Sequence, residues 1–153
     1  MTDMTGTKIM LLVANGFNQA NFITMQREFM NDGAEVTVVS SEKNLVNGFN
    51  GEEWGLTFPV DQQIDEVLGS DFDAVIVIGG EQSISRLSEN AHTARIMDAF
   101  VELEKPMVLL NEAQTLTATS SSHVMVINEV AGEETVAEIK EHIVSEGDLA
   151  RAA

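Results

Sequence analysis

The sequence predicts an α/β fold in which helices cover both faces of a parallel sheet of about five strands. Five short apolar runs predict the strands, because near-continuous apolar runs are typical of strands that are buried on both faces. These runs occupy residues 9–13, 36–39, 74–78, 107–110 and 124–127. Helical patterns alternate with them, and this alternation is the pattern of a doubly wound sheet. We expect a single domain over residues 1–153.

The helices are predicted by apolar residues that recur every three or four positions. The residues that set this period are Phe22, Met25 and Phe29 in the first helix, Ile96, Phe100 and Leu103 in a later one, and Val136, Ile139 and Ile143 near the C-terminus. Gly33 is expected to end the first helix. The order of the elements favours a flavodoxin-like sheet with strand order 2-1-3-4-5.

Residues 44–55 interrupt the alternation of strands and helices. They contain two Asn-Gly pairs, which favour tight hairpin turns, so we expect a small β-hairpin after the second strand. Phe49, Trp54 and Phe58 lie in or beside this hairpin and either cap the core or form a subunit contact. Because exposed apolar patches usually mark interfaces, we expect a homo-oligomer, most simply a dimer.

Composition excludes several classes of function. The 25 acidic and eight basic residues give a net charge of -17, which disfavours binding to nucleic acid or to anionic membranes. Such a charge suits either a salt-rich cytoplasm or simply a soluble acidic protein. The chain has no cysteine, and it has no apolar segment typical of a signal peptide or membrane span. We therefore expect a cytoplasmic protein without thiol chemistry.

Three segments that follow predicted strands are expected to form a site, because ligands of open α/β sheets bind beyond the carboxyl ends of the strands. Glycines there let backbone N–H groups approach a ligand, and helix N-termini favour an anion. A small-molecule ligand is therefore possible, and no motif predicts a cofactor or a metal ion. The predicted ligand-binding residues are Asn15, Gly16, Asn18, Gly79, Gly80 and Asn111.

Three segments, in this order and spacing, resemble the ThiJ/PfpI family of the class I glutamine amidotransferase-like superfamily. They read "KIMLLVANGFNQANF", "DFDAVIVIGG" and "EKPMVLLNEAQTL". The resemblance implies a sharp strand-to-helix bend that carries a catalytic cysteine followed by a histidine. Asn111 and Glu112 occupy those two positions here. The chain is also shorter than the family after this bend.

A second departure from the family lies in the turn after the first strand. The resemblance implies an acidic turn whose first carboxylate hydrogen-bonds the nucleophile, but this chain has Asn18-Gln19-Ala20-Asn21. An amide can both donate and accept, so we expect a neutral hydrogen bond between Asn18 and Asn111. The two departures together predict a degenerate site, formed by Asn18, Asn111 and Glu112, without covalent chemistry.

Three hypotheses for the function follow. The first is a non-catalytic protein of the ThiJ/PfpI type that acts as a binding or assembly module. The second is a non-thiol hydrolase or lyase that uses Glu112 as a general base, since carboxylates can serve this role. The third is a flavodoxin-like binder of a small ligand at Gly79 and Gly80.

The histidines are weaker candidates for chemistry. His123 follows Ser120–Ser122 in the sequence, and we interpret it as a residue at the entry of a strand rather than as half of a Ser/His pair. His92 and His142 are expected to face solvent from helices.

Overall fold

The computed structural model describes residues 4–117, 123–128 and 132–152. In chain order the strands and helices are β1 (Lys8–Val13), β2 (Phe17–Asn18), α1 (Gln19–Asn31), β3 (Glu35–Ser40), β4 (Leu45–Phe49), β5 (Trp54–Pro59), β6 (Gln62–Gln63), β7 (Ala74–Val77), α2 (Glu81–Ser88), α3 (Ala91–Glu102), β8 (Met107–Leu110), β9 (Val124–Ile127) and α4 (Glu133–Ala152). Short 3-10 helices lie at Ile64–Glu66, Gly69–Asp71 and Asn111–Leu116.

The main sheet is parallel and confirms the predicted fold class. Its strand order is β6-β3-β1-β7-β8-β9, so the five predicted strands have the expected order 2-1-3-4-5. The sixth strand, β6, is only two residues long and pairs with the end of β3. The apolar pattern does not predict β6, because both of its residues are glutamine.

Helices on each face of the sheet form two separate apolar cores. In β1, Ile9 and Leu11 face the core under α1 and α4, whereas Met10 and Leu12 face the core under α2 and α3. The predicted helix periods fit this arrangement, since their apolar residues are buried. Leu103 is the exception: α3 ends at Glu102, and Leu103 caps it with 44% of its surface exposed.

The predicted hairpin is present as β4 and β5, and with β2 it forms a second sheet of three strands. One of the two Asn-Gly pairs, Asn50-Gly51, lies in the turn as expected. The other, Asn47-Gly48, lies inside β4, where the register with β5 shifts. That pair was wrongly predicted to form a turn. Pairing with β2 and β5 on either side holds it in an extended strand.

Gln19 fills the irregularity that the register shift creates. Its Oε1 atom accepts a hydrogen bond of 2.7 Å from the backbone N–H of Leu56. Gly48 and Gly55 make room for this side chain, because a Cβ atom at either position would approach Gln19 to within 2.9 Å or less. The first residue of α1 is thereby joined directly to the hairpin.

Aromatic packing attaches the other end of the hairpin to the core. The ring of Phe58 lies 4.7 Å from that of Phe22 and 5.8 Å from that of Phe17. Phe49 and Trp54 instead make an edge-to-face contact near the tip of the hairpin, where Trp54 is 50% exposed. Phe58 therefore joins the core, as one of the two sequence-based interpretations suggested, whereas Trp54 remains on the surface.

Helices α1 and α4 are joined by an ion cluster around Lys140. Its Nζ atom lies 2.8 Å from Asp32 Oδ2 and 3.4 Å from Glu28 Oε1, and its side chain is only 14% exposed. Burial alone would lower the pKa of Lys140. Its contacts with Asp32 and then Glu28 outweigh that effect, so the pKa is raised above its ordinary value.

We expect Lys140→Met to lower the free energy of unfolding by about 1–3 kcal/mol, between the values for exposed and fully buried ion pairs. Because the folded-state pKa is raised, the stabilisation is fully present below the unfolded pKa of about 10.4 and is lost as pH rises through the folded pKa. Urea unfolding from neutral to alkaline pH checks this. Arg27→Met is the control, since Arg27 pairs with Glu28 on the surface at 60% exposure. Equal losses for the two variants would contradict the prediction.

Candidate functional site

The sharp bend after β8 is present, and Asn111 lies at its tip. Asn111 has a φ of 52°, in the left-handed region, and is one of three non-glycine residues with positive φ in the described ranges. Asparagine enters this region more readily than most residues, which explains how the bend is retained without a glycine. The segment that follows the bend is the 3-10 helix Asn111–Leu116.

The expected hydrogen bond between Asn18 and Asn111 is absent from the described part of the chain. Asn18 Oδ1 instead accepts a hydrogen bond of 3.1 Å from the Asn21 N–H and so caps the N-terminus of α1. Asparagine is among the preferred residues at this position because its short side chain reaches the free N–H groups of the first turn. The amide at position 18 thus stabilises a helix end and does not complement the elbow.

Glu112, the residue after the tip of the elbow, connects the elbow to the glycine turn before α2. Its Oε1 atom accepts a hydrogen bond of 3.0 Å from the Gly80 backbone N–H, although the side chain is exposed. Gly80 precedes α2 and has a φ of 126°. The N–H group that the sequence suggested for a ligand therefore already has an acceptor, supplied by the residue that replaces the family histidine.

Beside the elbow lies a cleft of about 210 Å³ between the hairpin tip and the start of α2. Its lining residues are Gly16, Asn18, Phe49, Gly51, Gly80, Glu81 and Gln82. Three predicted ligand-binding residues, Gly16, Asn18 and Gly80, are among them. The lining contains carboxylate and amide groups but no basic side chain, so it offers no counter-charge to an anion.

The other three predicted ligand-binding residues do not line the cleft. Asn15 has a structural role: its Oδ1 accepts from the Asn47 N–H at 2.8 Å, and its own N–H donates to Glu42 Oε2 at 3.1 Å. Gly79 packs against the elbow, where a Cβ atom would lie 2.6 Å from the Leu110 carbonyl oxygen and 3.0 Å from Asn111 Cβ. A binding role for these three residues stays a prediction.

Four cleft residues were not predicted from the sequence as ligand-binding residues. Phe49 and Gly51 reach the cleft because the hairpin folds over the end of β1, and no motif in the sequence signals that placement. Glu81 and Gln82 form the first turn of α2. Their position directly after the predicted Gly79-Gly80 turn was the one signal that could have identified them.

The histidines have structural contacts. His123 is buried, and its carbonyl oxygen lies 3.0 Å from Nε2 of His142 on α4. His92 Nδ1 accepts a hydrogen bond of 3.2 Å from Arg95 Nε. His92 and His142 are both partly buried, so they face solvent only in part. Ser120–Ser122 lie outside the described residues.

Within the described residues, no cluster of three or more histidine, aspartate or glutamate side chains could hold a metal ion. The same part of the chain contains no helix long and apolar enough to cross a membrane.

A doubly wound parallel sheet, with a residue of positive φ at the bend after β8, defines a protein of the flavodoxin-like fold class. The chain belongs to the DJ-1/PfpI family, whose model matches residues 7–150. The resemblance to ThiJ/PfpI proteins noted from the sequence is thereby confirmed.

Named relatives agree with this assignment. The chain is 29% identical over 102 residues to general stress protein 18 of Bacillus subtilis. The aligned segment covers 67% of this chain and 58% of that protein. It is 34% identical over 85 residues to deglycase TK1284 of Thermococcus kodakarensis, covering 55% of this chain and 49% of that protein. The chain thus spans about half the length of the curated relatives it matches.

Solved structures show the same fold at low identity. Oxidized DJ-1 of Toxoplasma gondii superposes with a TM-score of 0.72 at 14% identity, over 96% of this chain and 97% of that one. A two-domain Anabaena variabilis protein, with DJ-1/ThiJ/PfpI-like and ferritin-like domains, gives a TM-score of 0.74 at 19% identity, over 91% of this chain and 47% of that one.

Proposed function

We propose that this protein is a non-catalytic member of the DJ-1/PfpI family that acts as a binding or assembly module. The observation that carries the proposal is the elbow, where the backbone bend is retained but the residue at its tip is Asn111 in a chain without cysteine. A carboxamide is a poor nucleophile, and nucleophilic catalysis needs an activated hydroxyl, thiol, amine or carboxylate.

The contacts around the elbow support the proposal. Stabilisation of a developing oxyanion requires N–H donors that point at the reacting atom and are free to meet it. The Gly80 N–H already donates to the Glu112 carboxylate, and the side-chain Oδ1 of Asn18 already accepts from the Asn21 N–H. Two polar groups that a reaction could use are therefore committed to the protein's own structure.

The enzymatic alternative places Glu112 as a general base, with Asn18 and Asn111 as polarising groups. One observation favours it: the Glu112 carboxylate is exposed beside the cleft and next to the elbow. The bond from the Gly80 N–H occupies only Oε1, and like any hydrogen bond to the charged form of a carboxylate it stabilises that form.

Binding of a small ligand is the third candidate, and the cleft sets its size and charge. At about 210 Å³ the cleft is smaller than the ~300–1,000 Å³ typical of drug-sized ligands. Glu81 and Gln82 line it without a basic neighbour, which favours a small neutral or cationic molecule over the anion expected from the sequence.

The test is incubation of the purified protein with reactive aldehydes, peptides and amides. We expect no turnover above buffer, because no activated nucleophile is present. Two matched variants locate the source of any turnover. Glu112→Gln removes the carboxylate that accepts from the Gly80 N–H, and Glu81→Gln removes one that lines the cleft. Turnover that survives Glu81→Gln but disappears in Glu112→Gln would favour the enzymatic alternative.

Self-association is part of the same proposal. Trp54 and Leu56 are both at least half exposed and lie two residues apart on β5, on one face of the hairpin, where they form apolar surface that a second copy of the chain could cover. The cytoplasmic location predicted from the sequence also belongs to the proposal.

We expect a homodimer that Trp54→Ala weakens by about 2 kcal/mol, or roughly thirtyfold in Kd, because buried tryptophans dominate many interfaces. Light scattering over a series of protein concentrations, in a buffer that contains salt, measures the Kd of the dimer. Leu103→Ala is the control, since Leu103 is an exposed leucine at the end of α3 outside the hairpin. A monomer at high micromolar concentration would defeat the proposal of self-association.

A further inference from the structure

We propose that Asn50 is a site of spontaneous modification: in the folded protein its side chain deamidates through attack by the backbone nitrogen of Gly51. The chain contains three Asn-Gly pairs, which begin at Asn15, Asn47 and Asn50. Their local chemistry is the same, but the fold exposes one pair and protects the other two. This inference does not depend on the proposed function.

The reaction needs only water as a co-reactant. The Gly51 nitrogen attacks Cγ of Asn50, and a new C–N bond closes a succinimide ring. The side-chain amide nitrogen leaves as ammonia and takes up the proton that the Gly51 nitrogen loses. Water then opens the ring at Cγ to give aspartate, or at the Asn50 backbone carbonyl carbon to give isoaspartate. Glycine favours the attack because it has no side chain to hinder the nitrogen.

The turn around Asn50 supports the first step. Asn50 is exposed, and its Oδ1 atom accepts hydrogen bonds from the N–H groups of Glu52 at 3.1 Å and Glu53 at 2.9 Å. Oδ1 is the oxygen that gains negative charge when Cγ is attacked. Donors already aimed at such an oxygen stabilise the transition state without reorganisation.

The attacking group at this turn is also accessible. Within the described ranges, the Gly51 N–H donates to no acceptor. Gly51 has a φ of 101°, and nothing lies within 4 Å of the position that a Cβ atom would occupy. No acceptor therefore competes for this nitrogen, and the space on this side of Gly51 is open.

The other two pairs lack this freedom. The Gly16 N–H donates to the Asn47 carbonyl oxygen at 2.9 Å, so the nitrogen that would attack Asn15 is already held by an acceptor. Gly48 is buried within β4, where a Cβ atom would lie 2.9 Å from Gln19. Neither pair can form the ring unless this part of the structure first opens.

The products would change the tip of the hairpin. Aspartate at position 50 adds a carboxylate immediately before Gly51 and the acids Glu52 and Glu53. Isoaspartate inserts an extra methylene into the main chain and disturbs the bond of 3.1 Å from the Asn50 N–H to the Glu53 carbonyl. Because Phe49 and Gly51 line the cleft, either product alters its edge.

The test follows the three pairs in one sample of the full chain, kept folded at mildly alkaline pH. Peptide mapping with electron-transfer fragmentation measures deamidation at each site, and far-UV circular dichroism confirms that the fold persists. We expect Asn50 to react at least about tenfold faster than Asn15 or Asn47, a barrier difference of about 1.4 kcal/mol. In urea the three rates should converge. Similar rates at all three sites in the folded protein would overturn the proposal.

Asn50→Ser provides the second arm, because serine keeps a side-chain oxygen that can accept from the turn but has no amide to lose. Ion-exchange chromatography resolves the acidic species that deamidation generates. We expect the main acidic species to disappear in this variant. Its formation at an unchanged rate would show that the modification occurs elsewhere, and would overturn the proposal independently of the peptide map.

Discussion

Gly80→Ala is expected to lower the free energy of unfolding by about 2–5 kcal/mol, the sum of backbone strain and overpacking. Gly80 has a φ of 126°, a region that is strained for any residue with a side chain. A Cβ atom there would lie 2.5 Å from the Gly16 carbonyl oxygen and 3.0 Å from Phe17 Cα. Backbone atoms cannot move aside as side chains do, so the loop after β1 must shift.

Gly51→Ala is the matched control for this prediction. Gly51 also has a positive φ, but its missing Cβ would meet nothing within 4 Å, so the variant has strain without a clash. We expect it to cost about 1 kcal/mol, at the low end of the range for a strained backbone. Urea unfolding at neutral pH compares the two variants. Equal losses would mean that the close approach of Gly80 to the β1 loop does not matter for stability.

The melting temperature is expected to rise by roughly 10 °C between dilute buffer and molar KCl, if screening recovers a few kcal/mol of repulsion. Eight basic residues cannot neutralise 25 acidic ones, and the net charge of -17 sits on a small protein. The Debye length falls from about 30 Å at 0.01 M salt to about 3 Å at 1 M. Repulsion therefore acts across the whole molecule in dilute buffer but only between nearest neighbours in molar salt.

Differential scanning calorimetry across a KCl series tests the salt prediction. An equally concentrated neutral osmolyte is the control, because salts also strengthen apolar burial and an osmolyte produces that effect without screening. A melting temperature that stays flat in KCl would contradict both the repulsion argument and the hypothesis of a salt-adapted source. A rise that the osmolyte reproduces would contradict the repulsion argument alone.

The main sheet was predictable because strands buried on both faces leave a clear apolar signal. All five predicted strands and their order were recovered, and so were the helices that carry Phe22 and Ile139. The wrong predictions of secondary structure fall in segments where the spacing of apolar residues carries little information. The strand β6 consists of two glutamines, and the Asn47-Gly48 pair has the composition of a turn but is held in a strand by neighbours distant in sequence.

The site was less predictable because it depends on contacts between distant segments. The sequence identified the elbow at Asn111 and the glycine turn at Gly80, and the structure places these side by side. The sequence alone could not show that the Asn18 side chain turns back to cap α1. Nor could it show that Glu112 contacts Gly80, which lies 32 positions earlier in the chain. Residue types set what each group can do, whereas the tertiary fold sets which partner it meets.

The contact of Gln19 with Leu56 has a consequence for how the molecule opens. Gln19 begins α1, directly after the cleft residue Asn18, and its side chain holds β5, the second strand of the hairpin whose tip forms the other side of the cleft. The hairpin cannot detach without releasing that bond and exposing the space that Gly48 and Gly55 leave for it. The two sides of the cleft should therefore behave as one cooperative unit in hydrogen exchange, so that the cleft widens by local unfolding rather than by a hinge.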